Sequence, residues 1–177
     1  MEIDADLAAA HGFPKLKYVF VERERRWLCR SVPLERVSLV EMITDLYVTG
    51  TKLRLREAVP QDGGPPMRRL TRKADVNSST RLLTSVYLAP EEFALFASLP
   101  GRRLHKIRHR LQSGAGITLS IDIFEGPLSG LILGEAEFES DAAMAAYPMP
   151  DYALREVTDD RRYNGGALVS EGLPTEI

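Results

Sequence analysis

The chain has 177 residues, of which 44% are hydrophobic and 27% charged, and it carries a net charge of −2 with a pI near 6.0. That length predicts one domain with a sizeable core, and the charge balance excludes the bulk field by which a protein gathers duplex nucleic acid or an anionic membrane. Cys29 is the single cysteine, which excludes an intrachain disulfide and suits a reducing compartment.

No apolar run approaches the roughly 20 residues that span a bilayer. Residues 1–14 carry acids and no charged-then-apolar leader pattern, so the cytoplasm is the expected compartment. They read as a loose arm with a helical turn around residues 6–10. Residues 15–30 read as the first strand. Side chains two apart on a strand share a face, so Glu22, Glu24 and Arg26 fall on one face and Val19, Val21 and Arg23 on the other. Pro33 breaks the strand, and 34–36 is a turn or short helix.

A second strand is expected over 39–48, with Gly50 turning the chain. Residues 51–58 alternate cleanly, with Leu53 and Leu55 against Arg54 and Arg56. The Gly/Pro-rich loop 60–66 leads to a strand at 67–74, where Thr71 and Lys73 share a parity. Residues 80–88 form a further strand. Pro90 then opens a helix with Glu91 and Glu92 in its first turn, where carboxylates favour the helix dipole.

In 102–111, Lys106, Arg108 and Arg110 share one face and His105, Ile107 and His109 the other. Strands follow at 117–124, with Asp122 on the polar face, and at 131–139, with Glu135, Glu137 and Glu139 in phase. Residues 141–147 read as a short helix that Asp141 could cap. Eight strands without β-α-β alternation predict an α+β protein, mainly an antiparallel sheet or barrel with a few peripheral helices. One domain over 15–170 and a tail over 171–177 complete the organisation.

The polar faces are nearly of one sign per strand. Arg54/Arg56, Lys73 and Lys106/Arg108 are cationic, while Glu22/Glu24 and Glu135/Glu137 are anionic. Such faces repel themselves unless compensated. Outward-facing, solvated rows explain any one strand. Faces turned into a common cavity explain the set, with the signs compensating across it, or with a polyanion on the cations and a divalent metal on the carboxylates. The remaining candidates read as structural. His105 and His109 lie off the cationic face, Cys29 is a buried thiol, and Trp27 is packing. Arg81 is open between the cavity mouth and the surface.

In chain order these motifs resemble the CYTH superfamily, the triphosphate tunnel metalloenzymes, as a divergent, bacterial-type member. The family's E-x-E-x-K is similar to Glu22-Arg-Glu24-Arg-Arg26, its R-x-R to Arg54-Leu-Arg56, and its next lysine to Lys73. Its K-x-R resembles Lys106-Ile-Arg108, its aspartate strand Asp122-Ile-Phe-Glu-Gly-Pro, and its E-x-E Glu135-Ala-Glu137-Phe. Its closing motif resembles Glu156-Val-Thr-Asp-Asp-Arg-Arg-Tyr163, with Asp160 in the aspartate slot.

The resemblance implies an eight-stranded antiparallel tunnel and hydrolysis of a triphosphate, either inorganic triphosphate or a small organic or nucleoside triphosphate, with Mg²⁺ or Mn²⁺. Arg26, Arg54, Arg56, Lys73, Lys106 and Arg108 would bind substrate. Glu22, Glu24, Asp122, Glu135, Glu137 and Asp160 would bind metal, and Glu24 and Arg26 would act in catalysis. The expected partner is a small polyanion, with no membrane and no duplex nucleic acid; a homodimer is admitted. Two departures stand out. Arg26 replaces the family lysine and cannot accept a proton near neutral pH. Leu83, Ser85 and Tyr87 stand where many members carry acids, which removes ligands for a second metal. A class IV-like adenylate cyclase and a non-catalytic polyphosphate- or nucleotide-binding module are the alternative readings.

Overall fold

The computed structural model describes residues 3–175. Nine strands follow in chain order: β1 (Phe20–Cys29), β2 (Val37–Val48), β3 (Leu53–Pro60), β4 (Met67–Asp75), β5 (Thr80–Tyr87), β6 (Gly101–Leu111), β7 (Ile117–Phe124), β8 (Ile132–Phe138) and β9 (Ala153–Glu156). The sheet order is β5-β4-β3-β2-β6-β7-β8-β1-β9, and an antiparallel β1–β5 pairing from Phe20↔Leu83 to Arg23↔Thr80 closes eight strands into a barrel. Closure removes the sheet edges that would otherwise template aggregation. The ninth strand lies outside this count. β1 carries β8 on one side, while its other side pairs with β5 in its first half and with β9 at Trp27–Cys29.

The pleat sorts the side chains into an unusual arrangement. Apolar residues mostly face outward and are covered by helices. Under α1 (Ala5–Ala10) lie Phe13, Ala74 and Leu82. Under α2 (Pro90–Ala97) lie Leu46 and Leu55, packed against its Phe93 and Phe96. Beside α3 (Asp141–Ala146) Trp27, Ile121 and Phe138 pack with Met144 and Tyr147. Inside the barrel the cluster is apolar only at one end, where Leu28, Leu104, Phe124 and Leu133 meet Val157, Tyr163 and Leu168, the last from α4 (Gly165–Glu171). This end is plugged; the remainder of the interior is charged.

Several expectations are corrected. The segment expected as a loose arm is packed: Asp4 caps α1 by accepting from the Leu7 N–H at 2.8 Å, and Ala8 and Phe13 are buried. Residues 1 and 2 lie outside the described residues. The first strand starts at Phe20, because Leu16–Tyr18 forms a 3-10 turn that tucks Leu16 against the Phe13 cluster. Ser140, not Asp141, caps α3, accepting from the Ala143 N–H at 3.1 Å; Asp141 is thereby free to pair with Arg23. Beyond residue 150 the sequence suggested neither β9 nor α4. Of the tail expected from 171, Glu171 is the last residue of α4 and Leu173 packs on the plug; residues 176 and 177 lie outside the described residues.

Candidate functional site

The charged interior is built strand by strand from the pleat. On β1 the side chains of Glu22, Glu24 and Arg26 point inward and are buried, while Arg23 and Arg25 point outward and pair with Asp141 and Glu156, each at 2.6 Å. β3 contributes Arg54 and Arg56, β4 Arg69 and Lys73, β5 Arg81, β6 Lys106 and Arg108, and β8 Glu135 and Glu137, all lining one cavity of about 580 Å³ in which basic side chains outnumber carboxylates. Register sets like charges face to face. Glu24 is opposite Glu137 across β1 and β8, and Arg56 is opposite Arg69 across β3 and β4. Such pairs destabilise a sheet unless charge is supplied from elsewhere.

Much of it is supplied across the bore. Lys73 Nζ donates to both oxygens of Glu22, at 2.7 and 2.9 Å. Arg81 contacts Glu24 and donates to Asp75 at 2.8 Å. Arg108 donates to Glu135 at 2.5 Å. On the same inner face, covered by the cations themselves, two buried aspartates hold those cations in place. Asp45 takes a bidentate pair from Arg56 at 2.7 and 2.6 Å, and Asp122 takes one from Arg108 at 2.7 Å twice, plus Lys106. Burial pushes the Glu22 and Glu135 carboxyls up, but Lys73 and Arg81 on the first, and Arg108 and Lys106 on the second, outweigh it and hold both below the ordinary range.

Two charges are left over. Arg69 makes no ion pair among the described residues, and its Nε has no hydrogen-bond partner. Burial, then Arg56 and Arg54, push its guanidinium down to about 10. The Nε of Arg54 has no hydrogen-bond partner either, but its charge is answered: burial pushes the guanidinium down, and Asp45 at 3.8 Å, Tyr47 and Glu22 outweigh it and hold it above the ordinary value. Glu137 has no ion pair among the described residues; burial and the neighbouring Glu22, Glu135 and Glu24 push its carboxyl up. A buried unpaired charge is costly and marks a place where a ligand charge belongs.

Not every expected site residue meets this bore. Asp122 is completely buried, with both oxygens taken by Lys106 and Arg108, so it orients cations and does not face the cavity. Asp160 caps the 3-10 turn Arg161–Tyr163 and is bound by Arg162 at 2.7 Å; it faces a separate outer depression. Arg26 lines the cavity, but its guanidinium is spent on Asn164 Oδ1, the carbonyls of Tyr163 and Thr158, and Glu24 at 3.3 Å. It ties the C-terminal plug to the barrel.

Three contributors were missed and one was left open. Arg69 was legible, since it shares the parity of Thr71 and Lys73. Arg81, left open between mouth and surface, lies in the bore. Asp45 carried a fainter signal, one of two acids in a mainly apolar strand. Asn164 gave none. The remaining candidates fall as expected: His105 is exposed on the outer face, and Cys29 is buried, its thiol pushed up to about 11 by burial.

The barrel is closed and antiparallel, and it encloses a buried bore of paired charges, mainly cationic on one wall and carboxylate on the other. In sequence and in fold the chain is similar to inorganic triphosphatases. No family model matches it. The inorganic triphosphatase of Nitrosomonas europaea is 39% identical over 74 residues, 42% of this chain and 49% of that protein, so the match spans about half of the relative's length. The solved structure of the inorganic triphosphatase NE1496 is 27% identical with a TM-score of 0.55, over 84% of this chain and 93% of that one. The PH1819 protein of Pyrococcus horikoshii, 21% identical with a TM-score of 0.52 over 70% of this chain and 82% of its own, shares the fold.

Proposed function

We propose that this chain hydrolyses a triphosphate held within the bore, with inorganic triphosphate as the simplest substrate. The carrying observation is the Arg69 guanidinium, which has no ion pair among the described residues, beside Arg54 and Arg56 inside a cavity already rich in cations. Guanidinium forks match phosphate oxygens, and an enclosed site strengthens their attraction. Arg56, Lys106 and Arg108, held by Asp45 and Asp122, extend the cationic wall without having to be ordered when substrate arrives. Lys73 can release Glu22 to meet a phosphate.

Among the described residues no three carboxylate, histidine or cysteine side chains are gathered as a metal cage. The donor chemistry nonetheless fits Mg²⁺ or Mn²⁺. Glu22, Glu24, Glu135 and Glu137 present hard oxygens on one side of the bore, and Glu137 has no cation of its own. These four would hold the ion. When bound, it would neutralise phosphate charge and orient water. Glu24 and Glu137, opposite one another, are the carboxylates placed to hold a water proton.

A binding module without turnover is the competing reading. It is favoured by Arg26 being occupied with the plug and by the neutral side chains at 83, 85 and 87. The test is phosphate release from inorganic triphosphate with Mg²⁺ or Mn²⁺, compared with Arg54→Ala and Arg69→Ala. Release that falls at least tenfold in each variant supports hydrolysis. Tight calorimetric binding with no release supports the module, and neither binding nor release refutes both.

A further inference from the structure

The Asn164 side chain is diverted from the task its position offers. It stands immediately before α4, where an asparagine ordinarily caps the helix by accepting from a first-turn N–H, yet its side chain makes no such bond. Its Oδ1 instead reaches the bore, where it accepts from Arg26 Nη1 and, at 3.4 Å, from Arg81 Nη2. Both neighbours are donors only, so the amide turns its oxygen to them. The backbone holds it there. The Asn164 N–H donates to the Arg161 carbonyl at 3.0 Å, and Gly165 lies so close to the Tyr47 hydroxyl that a Cβ would not fit.

The same two guanidinium groups converge on Glu24. Arg26 Nε lies 3.3 Å from Glu24 Oε1, and Arg81 Nη1 contacts that same oxygen. Among the described residues no hydrogen bond reaches the other oxygen, Oε2, and Glu24 lines the bore. Arg26 and Arg81 are 2% and 6% exposed and repel one another, so each needs acceptors besides the oxygen they share. Arg81 also donates to Asp75 at 2.8 Å, and Arg26 to the Tyr163 carbonyl at 3.1 Å. Asn164 supplies the remaining acceptor, and it is neutral. It satisfies guanidinium N–H groups without competing with Glu24 for their charge.

We propose that Asn164 is a positioning residue of the bore: by occupying Arg26 and Arg81 it confines their hold on Glu24 to Oε1 and leaves Oε2 to a divalent cation. Without the amide oxygen, Arg81 Nη2 must find another acceptor, and Glu24 already touches the same guanidinium. A second bond to that carboxylate makes the two-pronged pair that guanidinium groups favour. The free oxygen is then consumed, and the cation loses a ligand. Groups that orient a metal ligand from outside typically change metal affinity by about 10–100-fold. The proposal rests on Glu24 being a cation ligand.

The experiment measures calorimetric Mn²⁺ affinity, with sulfate present to occupy the cations of the bore, in the wild type, Asn164→Ala, Asn164→Ser and Asn164→Asp. Serine caps a helix as well as asparagine does but is too short to reach both arginines, whereas aspartate keeps an oxygen at the same reach. The expected result is a roughly tenfold weaker affinity in Asn164→Ala and Asn164→Ser, and at least the wild-type affinity in Asn164→Asp. Inorganic triphosphate, titrated with a chelator present, is bound equally by the wild type, Asn164→Ala and Asn164→Ser, because Arg54 and Arg69 are untouched. Melting temperature shows that Asn164→Ser is folded. Unchanged Mn²⁺ affinity in Asn164→Ser overturns the proposal, since the amide then serves only the helix. A matching loss of triphosphate affinity overturns it as well. A wild type that binds no Mn²⁺ removes Glu24 as a cation ligand and the proposal with it. Mn²⁺ binding in the expected order without phosphate release leaves the proposal standing and removes the hydrolase reading.

Discussion

Replacing Asp122 with asparagine separates two roles that predict opposite signs. Asp122 is wholly buried and accepts two bonds of 2.7 Å from Arg108 and one from Lys106. Removing one partner of a buried ion pair costs about 3–5 kcal/mol, because the other charge stays buried. Arg108 retains Glu135 at 2.5 Å, and asparagine keeps the volume and one acceptor, so the lower end applies, about 3 kcal/mol. For a chain of this size that lowers the melting temperature by roughly 6–12 °C.

The same variant leaves Lys106 and Arg108 short of negative charge, which a triphosphate restores. Ligand at 100 times its Kd stabilises by about 2.7 kcal/mol, and at equal concentration the variant should gain more than the wild type. The assay is calorimetric melting with a chelator, with and without inorganic triphosphate. The pH dependence has a definite sign. Burial pushes the Asp122 carboxyl up, but Arg108 and Lys106 outweigh it and hold it below the ordinary value. Its contribution is therefore complete above about pH 4 and is lost as pH falls toward the depressed value, so wild type and variant converge in acid. Were Asp122 a metal ligand crowded among other carboxylates, its neutralisation would relieve repulsion. A metal-free variant as stable as the wild type, or more so, would refute the orienting role.

Three further changes test other parts of the molecule. Glu137→Gln is expected to raise the melting temperature of the ligand-free protein at neutral pH. Burial and Glu22 push the Glu137 carboxyl up, so stability falls as pH rises from the unfolded to the folded value; melts over a pH series should show this decline in the wild type and a smaller one in the variant. Gly165→Ala would drive a Cβ into the Tyr47 hydroxyl and within 3.0 Å of its Cζ, a cost of about 1–3 kcal/mol by urea denaturation, with weaker triphosphate affinity because Tyr47 lines the bore near Arg54. Phe13→Ala is expected to cost about 3 kcal/mol, since the ring is buried with the Arg72 guanidinium 4.4 Å from its centroid; a loose arm would show no loss.

The sequence revealed the barrel because parity and charge sign agree along strand after strand. Glu22-x-Glu24-x-Arg26 and Lys106-x-Arg108 each assign a face, and neutrality requires the faces to meet. It revealed less of the division of labour within the bore. Asp122 has the residue type and motif position of a metal ligand; only the register Arg108↔Asp122 shows that its neighbour claims it first. The C-terminal plug was hidden for a different reason. β9 is four residues with no alternation, and Gly165-Gly166 punctuates like a turn although it opens α4. Val157, Tyr163 and Leu168 of α4 cover Leu28, Leu104 and Leu133 at that end, while β9 pairs with β1 and packs Ala153 beside Trp27; both are demands of tertiary packing that leave no local pattern.

Stability and function draw on the same charges here, and the pairing pattern tells them apart. Asp45 and Asp122 lie on the inner face but are fully covered by the cations they bind, so their bonds to Arg56, Arg108 and Lys106 orient the wall. Lys73–Glu22, Arg81–Glu24 and Arg108–Glu135 lie within the cavity, where an entering anion competes for each cation. Every cation drawn to a phosphate strands a carboxylate, and Glu137 is stranded from the outset. On the proposed reading, polyanion and divalent cation therefore enter as a coupled pair, each replacing the charge that the other removes. The coupling follows from electroneutrality in an enclosed space and needs no moving element.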